Sequence, residues 1–382
     1  MATSSPPPLN FYYGTMETED MLRYVPGGYH PVVIGEILTA PENGRSSKRQ
    51  YKIIAKLDYG SNGIEWVAVK ISTAMDECLP QTKEIDMLRA ACGDTSETQS
   101  GSSHVVTLVD HFLLRGPNGT HPVLVTDVVT PLSSLRRRYV YDPPWLKTAV
   151  HGLAQGVAHL HGVGIVHGDL HFENVGVAFP QLADQNPVDV VRELNDQGIT
   201  FVLPYSARDQ TPSLPPYVVA PCDLEKYYNK VSGSIPPLTK IFDFGTADAP
   251  EVVFVQYVQN IINSPVEPAA DVWALGTLIP QIYEIMSGYP LFDSLTKNWY
   301  ANLSHPPKAS RRTADACWAS RKKILRPVCH DNDDADALIN LLRKIQVLDP
   351  ELRPNAAEVL HDAWFKHREH PVLSTPEQVG VP

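Results

Sequence analysis

Apolar and polar residues alternate along residues 51–57 (YKIIAKL) and again along 65–71 (EWVAVKI), with Gly and Asn between them. That period, with its β-branched content, predicts two strands joined as an antiparallel hairpin. Residues 83–92 (KEIDMLRAAC) place apolar side chains at 85, 88 and 91 or 92, the period of a helix. Residues 105–114 and 123–129 return to strand character, joined by the turn signal GPNGTH. The first 130 residues therefore predict a sheet with one helix.

Beyond them the pattern becomes helical. Residues 144–161 carry Leu146, Val150, Leu153, Val157 and Leu160 on one face behind a Pro pair suited to a helix start. Residues 180–240 are Pro-rich and predict an irregular surface insertion with one short helix at 188–194. Further helices are expected at 270–286, 335–348 and 355–366. Asp331, Asp333, Asp334 and Asp336 fit a helix start favoured by the helix dipole, or an acidic docking surface.

Composition narrows the class. With 382 residues, 43% of them hydrophobic, the chain can bury a large core. Its five cysteines lack metal-ligand spacing and are odd in number, so neither a zinc site nor a disulfide framework is expected. No apolar run is long enough to span a bilayer, and the N-terminus lacks the apolar core of a signal peptide. A soluble protein of the cytoplasm or nucleus is expected, without membrane contact. The formal charge of -11 disfavours direct nucleic-acid binding and tolerates a basic partner.

The chemistry-bearing stretch is HGDLHFEN at 167–174. A carboxylate followed five positions later by an amide can hold a hydroxyl nucleophile with one and a magnesium ion with the other. The stretch resembles the HRDxxxxN catalytic loop of eukaryotic protein kinases, although small-molecule phosphotransferases such as aminoglycoside and choline kinases carry an HGDxxxxN loop as well. Other pieces follow in kinase order: VAVK ending at Lys70, Glu84 on the next helix, Asp243-Phe244-Gly245, Ala249-Pro250-Glu251, Asp271 in DVWALG, and Arg353 in LDPELRP. The later pieces speak against the aminoglycoside-kinase type. GGYHPVVIGEI, Gly119-Thr120-His121 and LPPYVVAP further resemble the SRPK-like serine/threonine kinases, the SR-protein kinases and their fungal relatives.

The resemblance implies an α+β, bilobal protein-kinase-like fold, with a small, mainly antiparallel β lobe and a larger, mainly α lobe. Residues 1–26 would be a mobile segment, 27–130 the small lobe, 131–367 the large lobe with the 180–240 insertion, and 368–382 a tail. It implies phosphoryl transfer from ATP, with Mg2+, to serine or threonine hydroxyls of protein substrates, Arg/Ser-rich sequences being one class. Asp169 would be the base, with His171, Lys70 and Glu84 as its catalytic companions. Leu57, Gly60, Gly63, Ala68, Lys70, Asp127 and Val129 would line the nucleotide, and Asn174 and Asp243 would hold the metal. Arg353 would pair with Glu251, and a monomer is expected.

The departures set an alternative beside this. Asp58 replaces the first glycine of the glycine-rich loop, and seven positions separate Gly63 from Lys70, less than half the family's usual spacing. Gly168 replaces the arginine of HRD, as in the SRPK-like group, so control by activation-loop phosphorylation is not expected. His171 replaces a lysine and supplies a weaker electrostatic stabiliser than a full ammonium. Eight positions separate Asp243 from Glu251, a reach of roughly 28 Å when extended, with no room for the family's peptide-binding platform. A pseudokinase or scaffold that keeps the fold is therefore the second reading.

Overall fold

The computed structural model describes residues 11–12, 20–41, 49–55, 61–62, 65–74, 83–93, 101–136, 143–194, 198–206, 210–222, 224–232, 235–245, 267–287, 318–319, 321–323, 325–347 and 349–366. Helices and small antiparallel sheets mix throughout. The chain divides into two compact units, Met1–Leu135 with Asn174–Ala247, and Arg136–Glu173 with Asp248–Pro382. No helix among the described residues is long and apolar enough to cross a membrane.

The first unit opens with β1 (Phe11–Tyr12), then β2 (Ile37–Thr39), β3 (Gln50–Lys52), β4 (Ser61–Asn62) and β5 (Glu65–Trp66); β2 to β5 pair in chain order as an antiparallel sheet. β6 (Ala68–Ile71) belongs to a different sheet, against β8 (Gly119–Thr126), which in turn pairs with β7 (Leu108–Gly116). The single hairpin expected from residues 51–71 is thus corrected. Lys52 registers with Ser61 and Ser61 with Trp66, whereas Lys70 registers with Leu124. β4 and β5 are two residues each, so the strand after the glycine-rich stretch is as short as its spacing requires. Leu38, Tyr51, Val69, Phe112 and Val125 form the core under these strands, the Tyr51 and Phe112 rings stacked at 5.8 Å.

Helix α1 (Lys83–Cys92) packs on β7 and buries Ile85, Leu88 and Ala91, the face its periodicity predicts. β9 (Val129–Pro131), β10 (Val175–Ala178) and β14 (Thr239–Ile241) make a further antiparallel sheet in the order β14-β10-β9. Between β10 and β14 the insertion is more regular than its Pro content suggests. It holds α3 (Pro187–Leu194), β11 (Ile199–Phe201), β12 (Leu203–Pro204), β13 (Tyr217–Val219) and α4 (Leu224–Ser232). β11 pairs with β13 and β12 with β1. Pro180 and Pro187 open helical segments and Pro204 ends β12, while α4 buries Leu224, Tyr227 and Tyr228.

In the second unit, α2 (Pro143–Gly162) is buried on nearly every side, because Ala149, Gly152, Ala154 and Gly156 complement the predicted apolar face. It packs against α5 (Pro268–Ser287) and α7 (Ala356–Leu360). α6 (Asn332–Ile345) starts at a cap in which Asp331 accepts from the Asp334 backbone N–H at 2.8 Å. Asp334 itself is buried and pairs with Lys147 at 2.7 Å, which removes it from any acidic surface. The single helix expected over 355–366 is two, α7 and α8 (Ala363–Lys366), because Asp362 accepts from the Trp364 N–H at 3.0 Å and caps a new start.

Candidate active site

Strand β6 alternates its side chains, sending Val69 into the core and Lys70 outward. The Lys70 ammonium lies 2.9 Å from the Glu84 carboxylate on the first turn of α1 and 2.8 Å from Asp243 Oδ1, two residues beyond β14. Burial alone would push the Lys70 pKa down, but the two carboxylates outweigh it and hold the ammonium above the ordinary lysine value. The Lys70 side chain is 44% exposed, and ion pairs of that kind contribute about 0–1 kcal/mol each. The arrangement therefore fixes the position and charge of Lys70 more than it stabilises the unit. Asp243 has φ +65°, a left-handed conformation uncommon outside glycine, and its Oδ1 accepts from the Gly245 N–H at 3.4 Å.

These three side chains line a cavity of about 590 Å³ in the first unit, within the range of small-molecule sites. Ala68, Asp127 and Val129, expected to line a nucleotide, line it too, as does Thr126. Leu57, Gly60 and Gly63 lie outside the described residues, as does Asp58.

The strand register brings the expected metal ligands to neighbouring positions. Val175 pairs with Ile241, and the Phe242 N–H donates to the Asn174 carbonyl at 3.0 Å, so Asn174 flanks the residue preceding Asp243. Asp243 lines the cavity that holds the Lys70 ammonium, and the buried Asn174 is its neighbour across the strand register; a carboxylate with an amide is a donor pair that suits Mg2+, which takes hard oxygen donors and keeps several waters. Those two residues would hold it, and the ion would supply charge neutralisation to phosphate oxygens. Among the described residues no group of three or more His, Cys, Asp or Glu forms a metal cluster.

Asp169 and His171 belong to the second unit, on the loop after α2. Their side chains are nearly half-exposed, with His171 Nε2 3.6 Å from Asp169 Oδ2. His171 Nδ1 accepts from the Glu173 N–H at 3.2 Å, which places the proton of the neutral ring on Nε2, toward Asp169. The loop hangs from Asp271, 1% exposed at the start of α5. Its carboxylate accepts from the His167 N–H at 2.8 Å, the Gly168 N–H at 2.9 Å and His161 Nε2 at 3.1 Å. Gly168 has φ +75°, so a side chain at this position would be strained. Ala249, Pro250 and Glu251 lie outside the described residues, and with them the expected partner of Arg353. Arg353 donates to the carbonyls of Val347 at 2.7 Å and Ala269 at 3.0 Å and stacks over Trp273.

Two participants escaped the motifs. Lys240, 5% exposed, pairs with Asp127 at 2.9 Å. His161 is the third donor to Asp271. Lys240 reads as an ordinary strand lysine, and its only signal was its place beside IFDFG; His161 was hidden in the tail of a helix.

No protein-family model matches the chain. Among curated proteins, the chain is similar to several protein kinases. Serine/threonine-protein kinase SKY1 of Saccharomyces cerevisiae is 30% identical over 176 residues, covering 41% of this chain and 22% of that protein. Protein kinase dsk1 of Schizosaccharomyces pombe is 30% identical over 183 residues, covering 44% and 32%. Serine/threonine-protein kinase SRPK of Physarum polycephalum is 31% identical over 173 residues, covering 42% and 38%. This chain is thus similar to SRPK-type kinases over roughly two-fifths of its length, and the matched stretch spans well under half of each relative.

Proposed function

We propose that this chain is an ATP- and Mg2+-dependent serine/threonine protein kinase of the SRPK-like type. The observation that carries the reading is the contact of Lys70 with both Glu84 and Asp243 at the wall of the 590 Å³ cavity. An ammonium held by two carboxylates suits the α and β phosphates of ATP, which can take it over from Asp243 when metal occupies that carboxylate. Ala68, Asp127 and Val129 would face the base, with Leu57, Gly60 and Gly63 covering it.

In this reading Asp169 orients the acceptor hydroxyl. The hydroxyl oxygen attacks the γ-phosphorus, the bond to the β–γ bridging oxygen breaks, the proton passes to the Asp169 carboxylate, and ADP leaves. His171, with its Nε2 proton directed at Asp169, supports the base and faces the transferring group in place of lysine. Arg/Ser-rich protein segments are the proposed substrate class, since the acidic chain tolerates a basic partner. A monomer working in the cytoplasm or nucleus completes the proposal.

The test incubates purified protein with labelled ATP, Mg2+ and an Arg/Ser peptide, beside Asp169→Ala. Labelling of peptide serine by the wild type, reduced about a thousandfold or more in the variant, is expected. Equal labelling in both would overturn the assignment of Asp169. Nucleotide binding without any labelling would favour the scaffold reading.

A further inference from the structure

The insertion between β10 and β14 reaches the same cavity. Tyr217, Val218, Val219 and Pro221 line it, and so do Tyr24, Tyr29, Val32 and Ile34 from the segment before β2. The two segments are folded together. Met21, Tyr24, Val202 and Val218 form a small core of their own, with Tyr29 and Leu214 packed against it. The Ile34 N–H donates to the Tyr217 hydroxyl at 3.0 Å. Asn118, at the β7–β8 turn and 2% exposed, donates to the carbonyls of Tyr29 at 2.6 Å and Ser213 at 3.1 Å, joining both segments to the sheet.

Apart from His30, which lines the cavity beside Tyr29, the described residues of this wall carry no basic side chain for phosphates. The wall suits the flat, weakly polar face of a nucleoside base. The two-residue strands β4 and β5 leave little hairpin to cover such a base. We propose that the segment Tyr217 to Pro221, pinned through Tyr217 to Ile34, is a nucleotide-binding wall that takes over part of the covering role of the shortened hairpin. The proposal rests on the reading of this cavity as the ATP site. Tyr217 is its specificity-determining residue, acting on the nucleoside half of the ligand, while Lys70 acts on the phosphates.

The experiment measures adenosine and ATP affinity by calorimetry for the wild type, Tyr217→Ala, Tyr217→Phe and Lys70→Met, with thermal unfolding recorded for each. Tyr217→Ala is expected to weaken adenosine and ATP by the same factor, about tenfold. Tyr217→Phe, which keeps the ring and loses the tie to Ile34, is expected to weaken both about threefold. Lys70→Met is expected to weaken ATP and leave adenosine unchanged. Unchanged adenosine affinity in the Tyr217 variants, with ATP still lost in Lys70→Met, overturns the wall and leaves the ATP site standing. Wild-type protein that binds neither ligand overturns both. If Tyr217→Ala fails to fold, the Tyr217→Phe result decides the proposal alone.

Discussion

The ammonium of Lys240 lies 2.9 Å from the carboxylate of Asp127, joining the last strand before the DFG triplet to the cavity residue that follows β8. Lys240 also donates to the Val105 carbonyl at 2.9 Å and the Thr107 hydroxyl at 3.2 Å, while Asp127 Oδ1 accepts from the Thr107 N–H at 2.7 Å. The pair is asymmetric. Lys240 is 6% exposed at the side chain and Asp127 31%. Water can reach the carboxylate far more readily than the ammonium.

The cost of breaking this pair should therefore depend on which partner goes. Asp127→Ala leaves a buried ammonium with neutral acceptors only and is expected to cost about 3 kcal/mol. Lys240→Met leaves a carboxylate that can be hydrated, and is expected to cost about 2 kcal/mol. Urea unfolding of both variants checks the order. A larger loss in Lys240→Met would mean that the ammonium is better solvated than its burial implies.

Lys70 should behave in the opposite way, mattering for ligand and little for stability. Lys70→Met is expected to lower ATP affinity or phosphoryl transfer about a hundredfold, with stability changed by less than about 1 kcal/mol. Its raised pKa fixes the pH dependence. The stabilising contact with Glu84 and Asp243 is fully present below the ordinary lysine value of about 10.5 and is lost as pH rises through the higher folded value. The stability difference between wild type and Lys70→Met should accordingly be flat across neutral pH and shrink only in strong alkali, as pH-dependent denaturation would record.

Most of the elements that hold the site were legible because each carries a local signal. The apolar face of α1 and the period of α2 are written at fixed spacings, and Lys70, Glu84 and Asp243 sit in motifs whose order is visible without coordinates. What could not be read depends on pairing over distance. β6 turned to β8 instead of back to β3, since Lys70 registers with Leu124 and nothing within residues 51–71 encodes that choice. The 180–240 insertion looked irregular because its β11–β13 pair joins Ile199 with Val219 and Phe201 with Tyr217, residues well apart in a Pro-rich sequence. Tyr217 was invisible as a site residue for the same reason: its role comes from the company of Ile34, 183 positions away.

Asp271 gives a third prediction, read in acid. Burial would raise its carboxyl pKa, but the hydrogen bond and charge of His161, together with the charge of His167 and the Gly168 N–H, hold it below the usual value. A depressed folded pKa contributes stability that is present above the unfolded value, about 3.9, and is lost as pH falls through the folded one. Asp271→Ala strands the His167 and Gly168 amides and should cost about 3 kcal/mol near neutrality. Hydrogen exchange at those two amides should speed up selectively, and the stability gap to wild type should narrow below about pH 4. A gap that stays constant to pH 2 would show that the carboxylate charge does not hold the loop.

Tyr51 carries the alkaline counterpart within the first unit. Its hydroxyl, on a side chain 1% exposed, donates to Asp110 Oδ2 at 2.7 Å. Burial pushes its pKa up to about 12; the bond to Asp110 and the Asp110 charge add to this, while Arg49 opposes it. Because the folded value lies above the unfolded value of about 10, the contribution of the neutral phenol is complete below the unfolded value and disappears as pH rises through the folded one. Tyr51→Phe keeps the stack on Phe112 and removes the donor, so a loss of about 1 kcal/mol at neutral pH is expected. Other buried tyrosines, Tyr228 among them, share the alkaline trend, and only the difference between wild type and variant isolates this one. That difference should vanish between about pH 10 and 12, where the wild type must shed its phenol proton on unfolding and the phenylalanine has none to shed. Phenolate absorbance followed through the same titration should show one fewer late-titrating group in Tyr51→Phe, and an unchanged count would place the Tyr51 hydroxyl in contact with solvent.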